Sequence, residues 1–143
     1  MNGPYGDFYI HEGESEMIFI AGGSGMAPFR SILAELERQE CKRTIRYFFG
    51  ALTAKDLFYL DEMKVYEDKL ADFKFIPALS EPAPEDNWEG ETGLITEVVG
   101  RHYQDCSDKQ AYLCGSPGMI DACIKGLDER GLTEDNVFYD KFA

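Results

Sequence analysis

Met17-Ile18-Phe19-Ile20-Ala21-Gly22-Gly23-Ser24-Gly25-Met26-Ala27-Pro28-Phe29 puts five apolar residues, a glycine turn and a proline in direct succession. An apolar run with no polar alternation is the pattern of a strand buried on both faces, which parallel sheets require. Glycines let the chain turn tightly, and Pro28 suits the first turn of a helix because the N–H it lacks would be unpaired there anyway. Phe29, Ile32, Leu33 and Leu36 then share one helical face. The stretch therefore reads as strand, turn and helix.

Outward from it the alternation continues. Ile45 to Phe49 forms a second strand, Gly50 turns the chain, and a helix runs from Phe58 to Leu70. Phe73 to Leu79 is a third strand, followed by a polar, proline-containing loop from Ser80 to Glu91 and a helix with Ile95, Val98 and Val99 on its buried side, reaching Tyr103. Gln110 to Cys114 is a fourth strand, Gly115-Ser116-Pro117-Gly118 a second glycine turn into a helix that Gly131 can cap in the left-handed region, and Asn136 to Tyr139 a fifth strand. These units predict an α/β domain: a doubly wound, five-stranded parallel sheet with helices on both faces. The opening Asn2 to Tyr9 reads as a turn into an extra strand. Residues 1–10 are accordingly expected to be the end of a preceding domain, and 11–143 the α/β domain itself.

A chain of 143 residues can bury one good core. Its net charge of -13, from 27 acidic against 14 basic side chains, repels nucleic acid and anionic lipid surfaces, so neither is an expected partner. No stretch approaches the roughly 18 apolar residues of a membrane span, so direct membrane insertion is not expected either. Cys41, Cys106, Cys114 and Cys123 have neither C-x-x-C pairing nor cluster spacing, which suits reduced thiols and predicts no metal site. His11 and His102 flank no obvious partner and read as surface residues; no Ser-His-Asp or Cys-His arrangement is suggested.

In a doubly wound sheet, ligands bind at the carboxyl ends of the strands where the strand order reverses. Two turns emerge at such ends. Gly23-x-Gly25 lets backbone approach a pyrophosphate, while the following helix offers unpaired N–H groups and the positive end of its dipole. The turn lacks the Gly-Lys-Ser/Thr ending of a P-loop and carries Pro28 where a G-x-G-x-x-G fingerprint has its third glycine.

That departure carries a resemblance. Gly23-Ser24-Gly25-Met26-Ala27-Pro28 resembles the G-x-G-x-x-P turn of the ferredoxin–NADP reductase superfamily, Cys114-Gly115-Ser116-Pro117-Gly118-Met119 its C-G-x-P-x-M turn, and Gly3-Pro4-Tyr5-Gly6-Asp7-Phe8 the segment closing its flavin-binding barrel. Within the superfamily, the loop from Leu79 through Trp88 to Gly93 and Ile95, and the ending Tyr139 to Ala143, are similar to the family of F subunits of sodium-translocating NADH:quinone oxidoreductases. Reductase components of multicomponent oxygenases share the three general motifs.

The resemblance implies a flavin-dependent oxidoreductase in which NADH passes hydride to FAD held mainly by a barrel domain, and a ferredoxin-like domain with a 2Fe-2S cluster takes electrons onward to quinone. Both domains are expected to belong to the same polypeptide but to lie outside these residues, with other subunits of a membrane complex as partners at the cytoplasmic face of the inner membrane. It implies cofactor-binding roles for Gly22, Gly23, Ser24, Gly25, Met26, Ala27 and Pro28, for Gly50, Ala51 and Thr53 after the second strand, and for Cys114, Gly115, Ser116, Pro117 and Met119. The resemblance places Cys114 and Ser24 close to the reacting nicotinamide, the alternatives being a buried structural cysteine and a simple turn serine. Phe142 either covers the flavin ring or packs as an ordinary terminal aromatic, and Asn87 and Trp88 either border the nucleotide or anchor their loop. A non-catalytic NADH-sensing domain is the alternative from another class.

Family members that grip the extra phosphate of NADPH use basic and hydroxyl side chains just after the second strand, whereas Leu52 here is apolar and cannot pair with it. Titration with both dinucleotides is expected to show tighter binding of NADH; tighter NADPH binding, for instance through nearby Lys55, would contradict this.

Overall fold

The computed structural model describes residues 13–22, 26–57 and 60–141; the opening segment 1–10, His11, the turn Gly23-Ser24-Gly25, Phe58 and Phe142 lie outside the described residues. In chain order the elements are β1 (Met17–Gly22), α1 (Met26–Arg38), β2 (Thr44–Ala51), α2 (Leu60–Lys69), β3 (Asp72–Leu79), β4 (Glu91–Thr92), α3 (Ile95–His102), β5 (Gln110–Gly115), α4 (Pro117–Glu129) and β6 (Val137–Lys141). All pair in parallel in one sheet of order β4-β3-β2-β1-β5-β6.

Side-chain alternation divides the core between the two faces. Phe19, Ala21, Tyr47, Phe49, Tyr112 and Cys114 face α1 and α2, which return Phe29, Leu33, Leu36 and Met63. Ile18, Ile20, Phe48, Ala111 and Leu113 face α3 and α4, which return Val98, Val99, Ile120, Cys123 and Leu127. Phe19 stacks on Phe29 with ring centroids 4.8 Å apart and meets Tyr112 edge-on at 5.7 Å, so one aromatic cluster ties α1 to three strands. Truncating such a ring to alanine typically costs about 3–5 kcal/mol. Arg30 of α1 pairs with Glu62 of α2 at 2.7 Å, and this hydrogen bond holds the Glu62 carboxyl below the usual carboxylate range.

The sheet has six strands rather than the five expected. The addition is the two-residue β4, inside the loop read as irregular, pairing Glu91 and Thr92 with Ala78 and Leu79. Two polar residues have no hydrophobic period to detect. His102 is exposed, as expected of a surface residue, but it has a partner: its Nε2 lies 3.1 Å from Glu91 Oε2 and its ring meets Phe48 edge-on, fastening α3 to this outer strand.

Helix ends follow local chemistry. Gly131, at φ +91°, ends α4 as expected: its N–H donates to Asp128 O, and that of Leu132 to Leu127 O, both at 3.0 Å, a Schellman closure with Leu132 buried. The same closure ends α1, where Cys41 N–H donates to Leu36 O at 3.0 Å, but the left-handed position is held by exposed Glu40 at φ 55°. A Cβ is disfavoured there. Glu40→Gly should raise unfolding free energy by about 1 kcal/mol, read from urea or thermal denaturation; no gain would show that Glu40 carries no backbone strain.

Candidate functional site

Strand order reverses beside β1, because β2 lies on one side of it and β5 on the other. The loops leaving β1 and β5 therefore emerge side by side at the carboxyl edge. Gly22 and Gly115 end these strands in close contact: a Cβ on Gly115 would come within 2.8 Å of Met119 Cε, and one on Gly22 within 3.1 Å of Met119 Sδ. Gly115 also sits at φ +156°. The two glycines let Met119, from the first turn of α4, lie over the sheet edge.

Two helix N-termini point to this place. Ser116 caps α4, its hydroxyl accepting from Met119 N–H at 3.4 Å, with Pro117 opening the helix. Pro28 falls in the first turn of α1. Neither helix carries an acidic residue in its first turn, although α2 carries Asp61 and Glu62 there and α3 carries Glu97. Acids at that position normally complement the helix dipole. In a chain with 27 acidic side chains, the two helices at the reversal point carry none in their own first turns.

Beside the reversal, on the α3 and α4 face, lies an open cavity of about 390 Å³. Gly50, Ala51, Leu52 and Asp56 form one wall; Ser80, Gly93, Leu94 and Ile95 form the other; Met119 closes the end toward Gly22. Gly50 leaves room for Ile95, whose Cβ would be 3.2 Å from any Cβ placed there. Leu52 and Leu94 stand as apolar lips, 55% and 61% exposed. Among the described residues the lining contains no cation, and its one charged side chain, Asp56, accepts hydrogen bonds from Thr53 N–H at 3.3 Å and Thr53 Oγ at 3.5 Å.

The structure thus brings together Gly22, Gly50, Ala51, Gly115, Ser116, Pro117 and Met119, with Thr53 in the adjoining turn. Met26 and Ala27 lie in the first turn of α1. Cys114 stands apart from the cavity. It is the next-to-last residue of β5 and faces α1 and α2, fully buried in the cluster holding Phe29 and Tyr47, so the thiol and the cavity lie on opposite faces of the sheet and meet only at its edge. Burial, with Cys114 as the next cause, pushes the Tyr47 hydroxyl well above the ordinary tyrosine range, so it stays neutral. Burial likewise pushes the Cys123 thiol up to about 12, which marks it as packing rather than chemistry.

Asp56 and Leu94 are not singled out in the sequence, and Ser80, Gly93 and Ile95 enter there only as parts of a loop and a helix, not as site residues. Leu94 carried a usable signal: it follows a glycine and precedes a helix whose buried side is already filled by Ile95, Val98 and Val99. Trp88 anchors its loop, its indole N–H donating to Glu91 O at 2.7 Å. Among the described residues no helix is long and apolar enough to cross a membrane, and no group of three or more His, Cys, Asp or Glu is placed to hold a metal ion.

A doubly wound parallel sheet with open helix N-termini at its reversal point defines the nucleotide-binding α/β class. The chain belongs to the oxidoreductase NAD-binding domain family, of ferredoxin reductase type, whose model matches residues 19–125. It is 42% identical to the reductase component of propane 2-monooxygenase from Rhodococcus jostii, over 100% of this chain and 40% of that protein. It is 39% identical to the F subunit of the Na(+)-translocating NADH-quinone reductase from Psychrobacter cryohalolentis, over 100% of this chain and 36% of that protein. The solved Amycolatopsis cytochrome P450 reductase GcoB superposes with a TM-score of 0.87 at 26% identity, covering 98% of this chain and 42% of that one. The chain spans well under half the length of these relatives.

Proposed function

We propose that this chain binds NADH across the carboxyl edge of its sheet and presents the nicotinamide for hydride transfer to a flavin held by another domain of the same polypeptide. The adenosine half occupies the cavity between Leu52 and Leu94, the pyrophosphate lies over the turn from Gly22 to Pro28 and the N-terminus of α4 at Ser116 and Pro117, and the nicotinamide reaches round the edge to Cys114 and Ser24. The observation that carries this reading is the pair of helix N-termini left without acids in a strongly acidic chain. It supports an anion held there by backbone N–H groups and dipoles.

FAD, when bound, supplies the two-electron acceptor. This chain's residues do the positioning. Gly22 and Gly115 keep the edge low enough for backbone to approach the pyrophosphate, Met119 floors the passage from cavity to edge, and Cys114 packs beside the nicotinamide from the opposite face. Hydride transfer asks for alignment rather than acid–base chemistry from the protein.

For the onward path, the resemblance of the loop from Leu79 to Ile95 to the F subunits supports quinone as acceptor, through a ferredoxin-like domain with a 2Fe-2S cluster and within a sodium-translocating membrane complex. A second reading, a reductase component of a multicomponent oxygenase, is favoured by the 42% identity to the propane 2-monooxygenase reductase component. A non-catalytic NADH sensor has no use for a thiol beside the nicotinamide.

The test is stopped-flow reduction of flavin by saturating NADH in the longer reductase containing this chain. Cys114→Ala should slow hydride transfer on the order of a hundredfold, because donor and acceptor atoms must align at roughly 3–3.5 Å, and should leave NADH affinity nearly unchanged. An unchanged transfer rate would return Cys114 to core packing, and steady NADH oxidation by this chain with no flavin added would contradict the proposal as a whole.

A further inference from the structure

The two walls of the cavity come from segments far apart in sequence. One is the turn after β2, carrying Leu52 and Asp56; the other is the loop after β3, which enters the cavity at Ser80 and returns to it at Gly93 and Leu94. At their base they are joined by an extension of the β2–β3 ladder, where Ser80 N–H donates to Ala51 O and Glu81 N–H to Leu52 O, both at 2.9 Å. Beyond that base each wall folds into its own short 3-10 helix, Ala54–Asp56 in one and Pro84–Asp86 in the other.

One carboxylate oxygen spans them. Asp86 Oδ2 accepts from Ala83 N–H at 3.0 Å, closing its own turn, and from Ala54 N–H at 3.2 Å, the first residue of the helical turn in the opposite wall, 32 positions away. Each of these N–H groups heads a helical turn, where no intrahelical partner exists for it. The same oxygen therefore satisfies a donor in each wall and ties the walls together above their base. Asp56, held to Thr53 within the first wall, makes no such crossing.

We infer that Asp86 is a positioning residue for the dinucleotide: by bridging Ala54 and Ala83 it sets the separation of the walls carrying Leu52 and Leu94. This rests on the reading that NADH's adenosine occupies the cavity. With the bridge intact the cavity is preorganised, and binding spends little on ordering the loops. Without it, Leu52 is still held at the base by Glu81 N–H and Gly93 still donates to Leu79 O, but the turn at Ala54 and the turn at Ala83 are no longer tied to each other, so the outer part of both walls loses its shared fastening. The carboxylate acts through geometry and not through its charge, so asparagine, whose side-chain oxygen can accept the same two bonds, should replace it.

The chain's one tryptophan, Trp88, lies in this loop two residues from Asp86, which gives a readout independent of NADH. In the full chain, Asp86→Ala should make Trp88 emission more accessible to acrylamide and weaken NADH binding about tenfold, the scale expected for losing the two hydrogen bonds of the bridge. Asp86→Asn should stay within about twofold of the parent in both, because its amide oxygen keeps both bonds. NADH affinity unchanged in Asp86→Ala, or lost equally in Asp86→Asn, overturns the inference. If the parent chain binds no NADH, the proposed function fails, and unaltered Trp88 quenching in Asp86→Ala then overturns the bridge separately.

Discussion

β1 is covered on both faces and flanked on both sides, and this constrains everything else. Met17 to Ala21 have no solvent exposure, so every position must be apolar and every backbone group must find its partner in β2 or β5. Chain order then runs outward through β2, β3 and β4 on one side and through β5 and β6 on the other. The loops after β1 and β5 are forced to leave next to each other. Gly22, Gly115 and Met119 meet because of that reversal, and the helices that follow both strands turn their N-termini to the same spot.

Charge is handled locally against the average. A net charge of -13 works against any anionic ligand at a distance, and the described cavity lining contains no cation to offset it. What the reversal point has is two helix N-termini whose own first turns carry no acid, and beside it an apolar cavity with leucine lips. A ligand suited to both has an anionic middle and an apolar, flat end. That is the chemistry of a dinucleotide.

Much of this was legible in the sequence because its signals are periodic or steric. Apolar runs marked the strands of the sheet interior, Pro28 and Pro117 marked helix starts, and Gly131 marked a helix end. The end of α1 was not legible, since Glu40 occupies a conformation usually taken by glycine, and neither was β4, whose two polar residues are paired only because the loop returns to the sheet. The second cavity wall was hidden for a related reason. Ser80, Gly93 and Leu94 are ordinary loop residues until β3 sets them beside the turn after β2, and Asp86 looked like one of many solvated acids until Ala54 was placed against it. The glycine and Cys114 motifs were found readily, but their spacing did not reveal that Cys114 and the cavity occupy opposite faces of the sheet.

The central claim is that NADH lies across the carboxyl edge, from the cavity to the end of β5. Amide chemical shifts of the isotope-labelled chain, followed during NADH titration, test it most directly. The account predicts saturable shifts for Gly22, for Gly50 to Thr53, for Ser80, for Gly93 to Ile95 and for Gly115 to Met119, with Thr44, Asp72 and Gln110 at the opposite edge unmoved. Shifts concentrated at that opposite edge, or shifts at the carboxyl edge that bypass both cavity walls, would contradict it.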